Sequence, residues 1–153
     1  VTDISYIHAK QGVLYLSIIR DLFDNSIVAY KTGTEQNVNL VLSTIREAKK
    51  IEKVTAELQL HSDQGFQYTS QAYFDLNQEY HIQPSMSSPG CPYDNAAMEN
   101  FFGTLKTEWL YRRKFSCRGE FEQPVTEYVQ VYNYERIDLK NGLTPFEIRS
   151  KAV

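Results

Sequence analysis

A chain of 153 residues with 42% hydrophobic content has the size and apolar mass of one packed domain. It has no apolar run of membrane-spanning length and no basic-then-apolar start, which predicts a soluble, cytoplasmic protein without a membrane partner. Its two cysteines, Cys91 and Cys117, have no second Cys or His at ligand spacing, which speaks against a zinc site or a disulfide framework, and the net charge of −3 counts against a nucleic-acid binder.

The charge is unevenly spread. Residues 1–99 carry 7 Lys+Arg against 12 Asp+Glu, whereas residues 100–153 carry 9 against 7, with Lys106, Arg112, Arg113, Lys114 and Arg118 close together. Carboxylates that ligate divalent cations would offset the early deficit where a phosphate would sit.

In chain order, residues 3–32 read as three consecutive strands. Tyr6, Val13, Tyr15, Ile19, Ile27 and Tyr30 are β-branched or aromatic, with turn-like breaks at Lys10-Gln11-Gly12 and Asp24-Asn25-Ser26. Asn37 or Asn39 can cap a helix with Leu40, Val41, Ile45 and Ala48 at helical spacing, ending near Lys49-Lys50. A strand is expected over 56–61, where Leu58 and Leu60 alternate with polar residues. After it, Thr69 or Ser70 can cap a second helix, followed by a short strand around Ile82. Two Pro, a Gly and three Ser make 85–92 a loop. Asp94 then caps a helix running to about Tyr111, and a last helix spans about 120–136. Antiparallel strands followed by alternating helices and strands predict an α/β domain: a mixed five-stranded sheet with helices on both faces.

Three acidic residues lie where structure does not need them: Asp3 on the first strand, Asp63 just after the fourth, and Glu99 in the helix after the loop. Singly, each is also explained as a surface, turn or helix residue. Together they supply what two-metal phosphoryl transfer needs, hard oxygen ligands converging from separate elements. Adjacent strand ends can join Asp3 to Asp63 across 59 intervening residues, and a helix can bring in Glu99, which 35 residues separate from Asp63. In that helix Met98, Phe101, Phe102, Leu105 and Trp109 form one apolar stripe. Beside it, Lys106 lies about 20° from Glu99 in angle and roughly 10 Å along the axis. Such a pair is either a solvated flank or a metal ligand next to a phosphate contact.

TDISYI around Asp3, HSDQG around Asp63 and SPGCPYDNAAMENFFGTLK around Glu99 resemble the catalytic core of insertion sequence 3 family transposases, relatives of retroviral integrases. The resemblance runs nearly end to end, since YNYERIDLKNGLTPFEIRSK is similar to that family's terminal segment. It implies a ribonuclease H-like fold over residues 1–153 as one integrase or transposase catalytic core. Asp3 and Asp63 would bridge two Mg²⁺ or Mn²⁺ ions, Glu99 would complete the site, and Lys106 would meet the terminal DNA bases. The implied activity is phosphodiester hydrolysis at element ends followed by strand transfer from the 3′-OH. DNA would be the partner, with the protein acting as a homo-oligomer and taking no small-molecule substrate. Asn95 and Asn100 match motif positions but receive no role. Such transposases are longer proteins with an N-terminal helix-turn-helix region, so the chain is expected to be a fragment.

Other readings remain. A ribonuclease H-type nuclease would usually carry a fourth carboxylate where this helix offers Lys106. Losing a carboxylate would favour a non-catalytic DNA-binding remnant, and all three are present. A glycosidase on paired carboxylates would work without metal. Arg112, Arg113 and Lys114 can track a phosphate backbone or simply solvate a helix end. His8 and His81 are further candidate ligands or acid–base groups. His61 is expected to pack or hydrogen-bond rather than ligate, since Mg²⁺ prefers oxygen. Tyr128 and Tyr132, four residues apart, suit a core, whereas Tyr134 could stack on a base.

Overall fold

The computed structural model describes residues 1–53, 56–88 and 95–152. Strands β1 (Thr2–Ala9), β2 (Gly12–Arg20) and β3 (Ile27–Gly33) form an antiparallel ladder in that order. Asp3 lies opposite Ile18, and Tyr6 opposite Tyr15. Helix α1 (Val38–Ile51) is capped by Asn37, whose side chain accepts from the Leu40 N–H at 3.0 Å. Strand β4 (Leu58–Ser62), helix α2 (Gln71–Glu79) and strand β5 (Ile82–Met86) form a parallel unit, as a crossover connection requires. Ser70 is the residue that caps α2. Helices α3 (Ala96–Leu105), α4 (Arg118–Tyr134) and α5 (Pro145–Lys151) complete the chain. The expected cap Asp94 and residues 89–92 of the expected loop lie outside the described residues, while Ser85 and Met86, expected in that loop, extend β5. Among those described, no helix is long and apolar enough to cross a membrane.

Alternation along β2 builds the layers. Leu14, Leu16 and Ile18 pack on one face against Met98, Phe101, Phe102 and Leu105 of α3 and Phe121, Val125, Tyr128 and Tyr132 of α4. Ile19 faces the other way, toward Val41, Leu42 and Ile45 of α1 and Tyr73 and Leu76 of α2. Ser17, on that same face, meets the buried Thr44 hydroxyl of α1 at 2.8 Å, so neither polar group is stranded. Helices thus cover both faces, and Tyr128 and Tyr132 are core residues.

The sheet departs from the expectation in one respect. Five strands are present, but they form a three-stranded and a two-stranded ladder. β1 touches β4, but no ladder joins the two strands. A cavity of about 280 Å³ lined by Val1, Ile19, Leu58, Leu60 and Ile82 opens beside that junction.

Helix α5 was not expected. It starts in a capping box: the Thr144 side chain accepts from the Glu147 N–H, the Glu147 carboxylate accepts from the Thr144 N–H, and Pro145 opens the first turn. Its Arg149 reaches three carboxylates. Nε donates to Asp24 at 2.6 Å, Nη2 to Asp21 at 3.0 Å, and Nη1 to Glu52 at the end of α1. Asp24 is buried, its side chain only 2% exposed, so Arg149 neutralises a charge that water cannot reach. Arg149→Met should lower stability by about 3 kcal/mol, because it leaves that charge uncompensated. Glu52→Gln, at the wetter rim, should cost under about 1 kcal/mol. Chemical denaturation of the two variants measures both, and equal losses would show that the cluster acts through packing alone.

Candidate active site

Asp3 sits one residue into β1, half-buried at the junction with β4. Its Oδ1 accepts from the Ile4 N–H at 2.8 Å, and its Oδ2 accepts from the Asn95 side-chain amide at 3.3 Å. Burial raises its pKa from 3.8 to about 6; the Ile4 N–H works against that rise, and the charges of Asp63 and Glu99 add to it. Three carboxylates from a strand, a strand end and a helix are therefore within electrostatic reach of one another.

Asp63 follows β4 and is exposed. Its Oδ1 accepts from the Gly65 N–H at 2.8 Å, a turn that holds the carboxylate in place. A Cβ at position 65 would lie 2.7 Å from Gln67 Oε1 and 3.0 Å from Asp63 Oδ1, so a larger residue there would have to displace the Gln67 amide and press on the Asp63 carboxylate. The turn is braced from β5: Gln64 Nε2 donates to the Ser87 carbonyl at 3.0 Å, and the His61 ring lies between the Ser85 and Ser87 hydroxyls at 2.9 and 3.1 Å. His61 is thereby occupied with hydrogen bonds, as its chemistry predicted. Beneath the pair lies the buried Tyr68 hydroxyl. Burial, with the charges of Asp3 and Asp63, raises its pKa well above 10, and it stays protonated.

Glu99 is exposed in the first turn of α3, where a negative charge is favoured by the helix dipole. The stripe beside it is buried through Met98, Phe101, Phe102 and Leu105. Two residues with no assigned role orient this helix. Asn95, at its N-cap, makes no cap bond with its side chain and turns the amide to Asp3 instead. Arg20 of β2 donates from Nη1 to the Ala97 carbonyl at 2.7 Å and from Nη2 to the Tyr132 hydroxyl at 2.9 Å. Its guanidinium lies over the Phe101 and Tyr132 rings. An arginine at the end of β2 resembles any exposed strand-end cation in sequence, so nothing there signals this role. Asn95 carried a signal in its motif position.

The three acids are hard oxygen donors, the class that Mg²⁺ and Mn²⁺ take, and a cation would relieve the repulsion felt at Asp3. Among the described residues no three His, Cys, Asp or Glu side chains close into a cation cluster. The carboxylates converge on one edge of the sheet without gathering around a point.

The basic residues are arranged less evenly. After Leu105 the helix widens into a π-helical segment, Lys106–Leu110, with the Tyr111 N–H bonded to the Lys106 carbonyl at 2.8 Å. Lys106 Nζ lies 5.4 Å from the centroid of the Tyr6 ring. Arg113 stacks on Trp109 at 4.4 Å and donates to the Trp109 carbonyl. Arg112 and Lys114 are exposed beside it. His8 is exposed and packs edge-on against Tyr6, and exposed His81 ends α2 with a φ of 57°. Neither approaches the carboxylates in the described contacts. Tyr134 stacks on Phe146 of α5 at 4.6 Å.

Residues 1–92 and 99–153 match family models described as integrase core domain. The chain is 41% identical over 153 residues to the putative transposase InsK for insertion sequence element IS150 of Escherichia coli K12, covering 99% of this chain and 54% of that protein. It is 40% identical to an uncharacterized transposase-like protein of Haemophilus influenzae, covering 99% and 70%. The fold is similar to that of the HTLV-2 integrase catalytic core domain in complex with magnesium, with a TM-score of 0.75 at 16% identity, covering 96% of this chain and 92% of that one. It is the ribonuclease H-like fold of integrase cores.

The raised pKa of Asp3 has a measurable consequence without metal. Its acid form binds the proton more tightly in the folded than in the unfolded chain, so stability falls as pH rises from about 4 to about 6 and stays reduced above that. At pH 7, Asp3→Asn should therefore be more stable than the wild type, by on the order of 2 kcal/mol. The gap should vanish at pH 4. Thermal melts across this range check it, and a pH-independent offset would contradict the electrostatic origin.

Proposed function

Because the chain belongs to the integrase core family that includes insertion-sequence transposases, we propose that it is the metal-dependent catalytic domain of a DNA transposase. The observation that carries this reading is the convergence of Asp3, Asp63 and Glu99, each of the two partners felt electrostatically at Asp3. Asp3, Asp63 and Glu99 would hold two Mg²⁺ or Mn²⁺ ions. Bound there, the ions would acidify a water and neutralise charge on the phosphate.

The reaction is phosphodiester hydrolysis at an element end. A water oxygen bonds to phosphorus, the bond to the 3′ oxygen breaks, and the water's proton ends on the freed 3′-OH. That hydroxyl then attacks a phosphodiester of target DNA in the same way, so no covalent bond to the protein is needed. The residues of this chain position the reactants. Asn95 and the Ile4 N–H orient the Asp3 carboxylate, the Gly65 turn orients Asp63, and Arg20 holds the helix turn that presents Glu99. Lys106, Arg112 and Lys114 offer cations to the backbone, while Arg113 is partly occupied by Trp109. The chain spans 54% of the Escherichia coli relative, and recognition of particular end sequences is assigned to parts of the protein beyond it. Synapsis of two ends calls for a homo-oligomer on DNA, acting in the bacterial cytoplasm.

With Mn²⁺, the protein should nick DNA carrying its element's ends, and Glu99→Gln should abolish nicking, by at least about a hundred-fold, while DNA binding is kept. Nicking by the variant at the wild-type rate, or nicking undiminished by a chelator, would contradict the assignment.

A further inference from the structure

A buried polar atom without a partner is uncommon in a folded chain, because it loses water and gains nothing in return. Among the described residues, three such atoms belong to side chains around Asp3 and Asp63: the Tyr68 hydroxyl, Gln67 Nε2 and Asn95 Oδ1. Two of these side chains already have a task. Asn95 donates its Nδ2 to Asp3, and Gln67 crowds the Asp63 turn at Gly65. Tyr68 is the one whose polar end does nothing in the metal-free fold.

The turn puts it there. The Tyr68 N–H donates to the Gly65 carbonyl at 2.9 Å, which directs the ring inward. It joins the core of Ile19, Leu60 and Tyr73, meets the Tyr73 ring edge-on at 5.5 Å, and is 1% exposed. A phenylalanine would make those contacts equally well. The hydroxyl is instead carried to the start of β1, within reach of the Thr2 side chain. Thr2 gives its own hydrogen to the Ile18 carbonyl at 2.9 Å. Asp3 is the next residue of the strand, and its charge, followed by that of Asp63, is felt at the Tyr68 hydroxyl.

Asp3 lacks donors. An ionised carboxylate offers about four lone-pair sites, and this one receives the Ile4 N–H and, at 3.3 Å, the Asn95 amide. Carboxylates that ligate a metal do so ionised, and a hydrogen bond from the protein side fixes their orientation. We infer that Tyr68 is a positioning residue for the metal site, its buried hydroxyl a donor held in reserve for the Asp3 carboxylate in its ionised, metal-ligating form. The inference rests on the proposed function and adds to it a residue that touches neither metal nor DNA. It also explains why the fold keeps an unpartnered hydroxyl where a bare ring would pack.

Two measurements on the full chain test it: the melting temperature without metal, and the affinity for Mn²⁺ read from the paramagnetic resonance of the unbound ion. Tyr68→Phe should melt at or above the wild-type temperature, since it removes a desolvated hydroxyl that has no partner. The same variant should bind Mn²⁺ about ten-fold more weakly. Tyr73→Phe is the matched control. Its hydroxyl is also buried and unpartnered, but neither Asp3 nor Asp63 acts on it, so its Mn²⁺ affinity should equal that of the wild type. A Tyr68→Phe variant that binds Mn²⁺ as the wild type does, or that melts well below it without metal, overturns the inference alone. Absence of Mn²⁺ binding by the wild type, or binding that Asp63→Asn leaves unchanged, overturns the proposed metal site and the inference with it.

Discussion

Gathering carboxylates at one edge of a sheet costs electrostatic free energy, and the fold meets that cost at Asp3. This side chain is drawn partly out of water at the start of β1, with two more negative charges nearby. Its relief is small: one backbone N–H and the Asn95 amide. The surrounding structure is arranged to keep the other two acids from retreating. The Gly65 turn, braced on β5 through Gln64 and His61, fixes Asp63. The core between β2 and α3, with Arg20 clasping the Ala97 carbonyl, fixes the helix that bears Glu99. The expense makes sense for a site that receives cations.

The same packing that supports Glu99 continues down the helix to Lys106. Phe101, Phe102 and Leu105 lock α3 to the sheet, so the acidic and basic ends of the helix are set by one rigid contact. The π-helical segment begins at Lys106 and carries Glu108 to Arg136, where Nη2 donates at 3.0 Å. A wider turn is a common device where a helix changes its task. Here the change falls between the part that presents Glu99 and the exposed cations at 112–114.

Much of this was legible in the residues. The β-branched and aromatic residues of 6–30, with their turn-like breaks, announced the strands, and the stripe from Met98 to Leu105 announced the helix and its buried face. The three acids were readable because their order and setting are specific while each alone is ordinary. Arg20 was not, since its partner lies 77 residues away and no local period encodes it; Asn95 stood at a motif position, but its partner 92 residues away gave that position no role. Helix α5 is a different case. Thr144-Pro145-Phe146-Glu147 is a capping-box sequence with proline at the first position and could have been read. Its short span lacks the long apolar period by which the other helices declare themselves. The gap between the two ladders could not be read either, because it depends on how β1 and β4 meet in space.

The central claim is that Asp3, Asp63 and Glu99 form one divalent-metal site, and anomalous scattering from a crystal of the protein soaked in Mn²⁺ tests it most directly. The account predicts manganese between Asp3 and Asp63, with the Glu99 carboxylate drawn in to complete the coordination. Manganese bound elsewhere, with these three side chains free of it, would contradict the account.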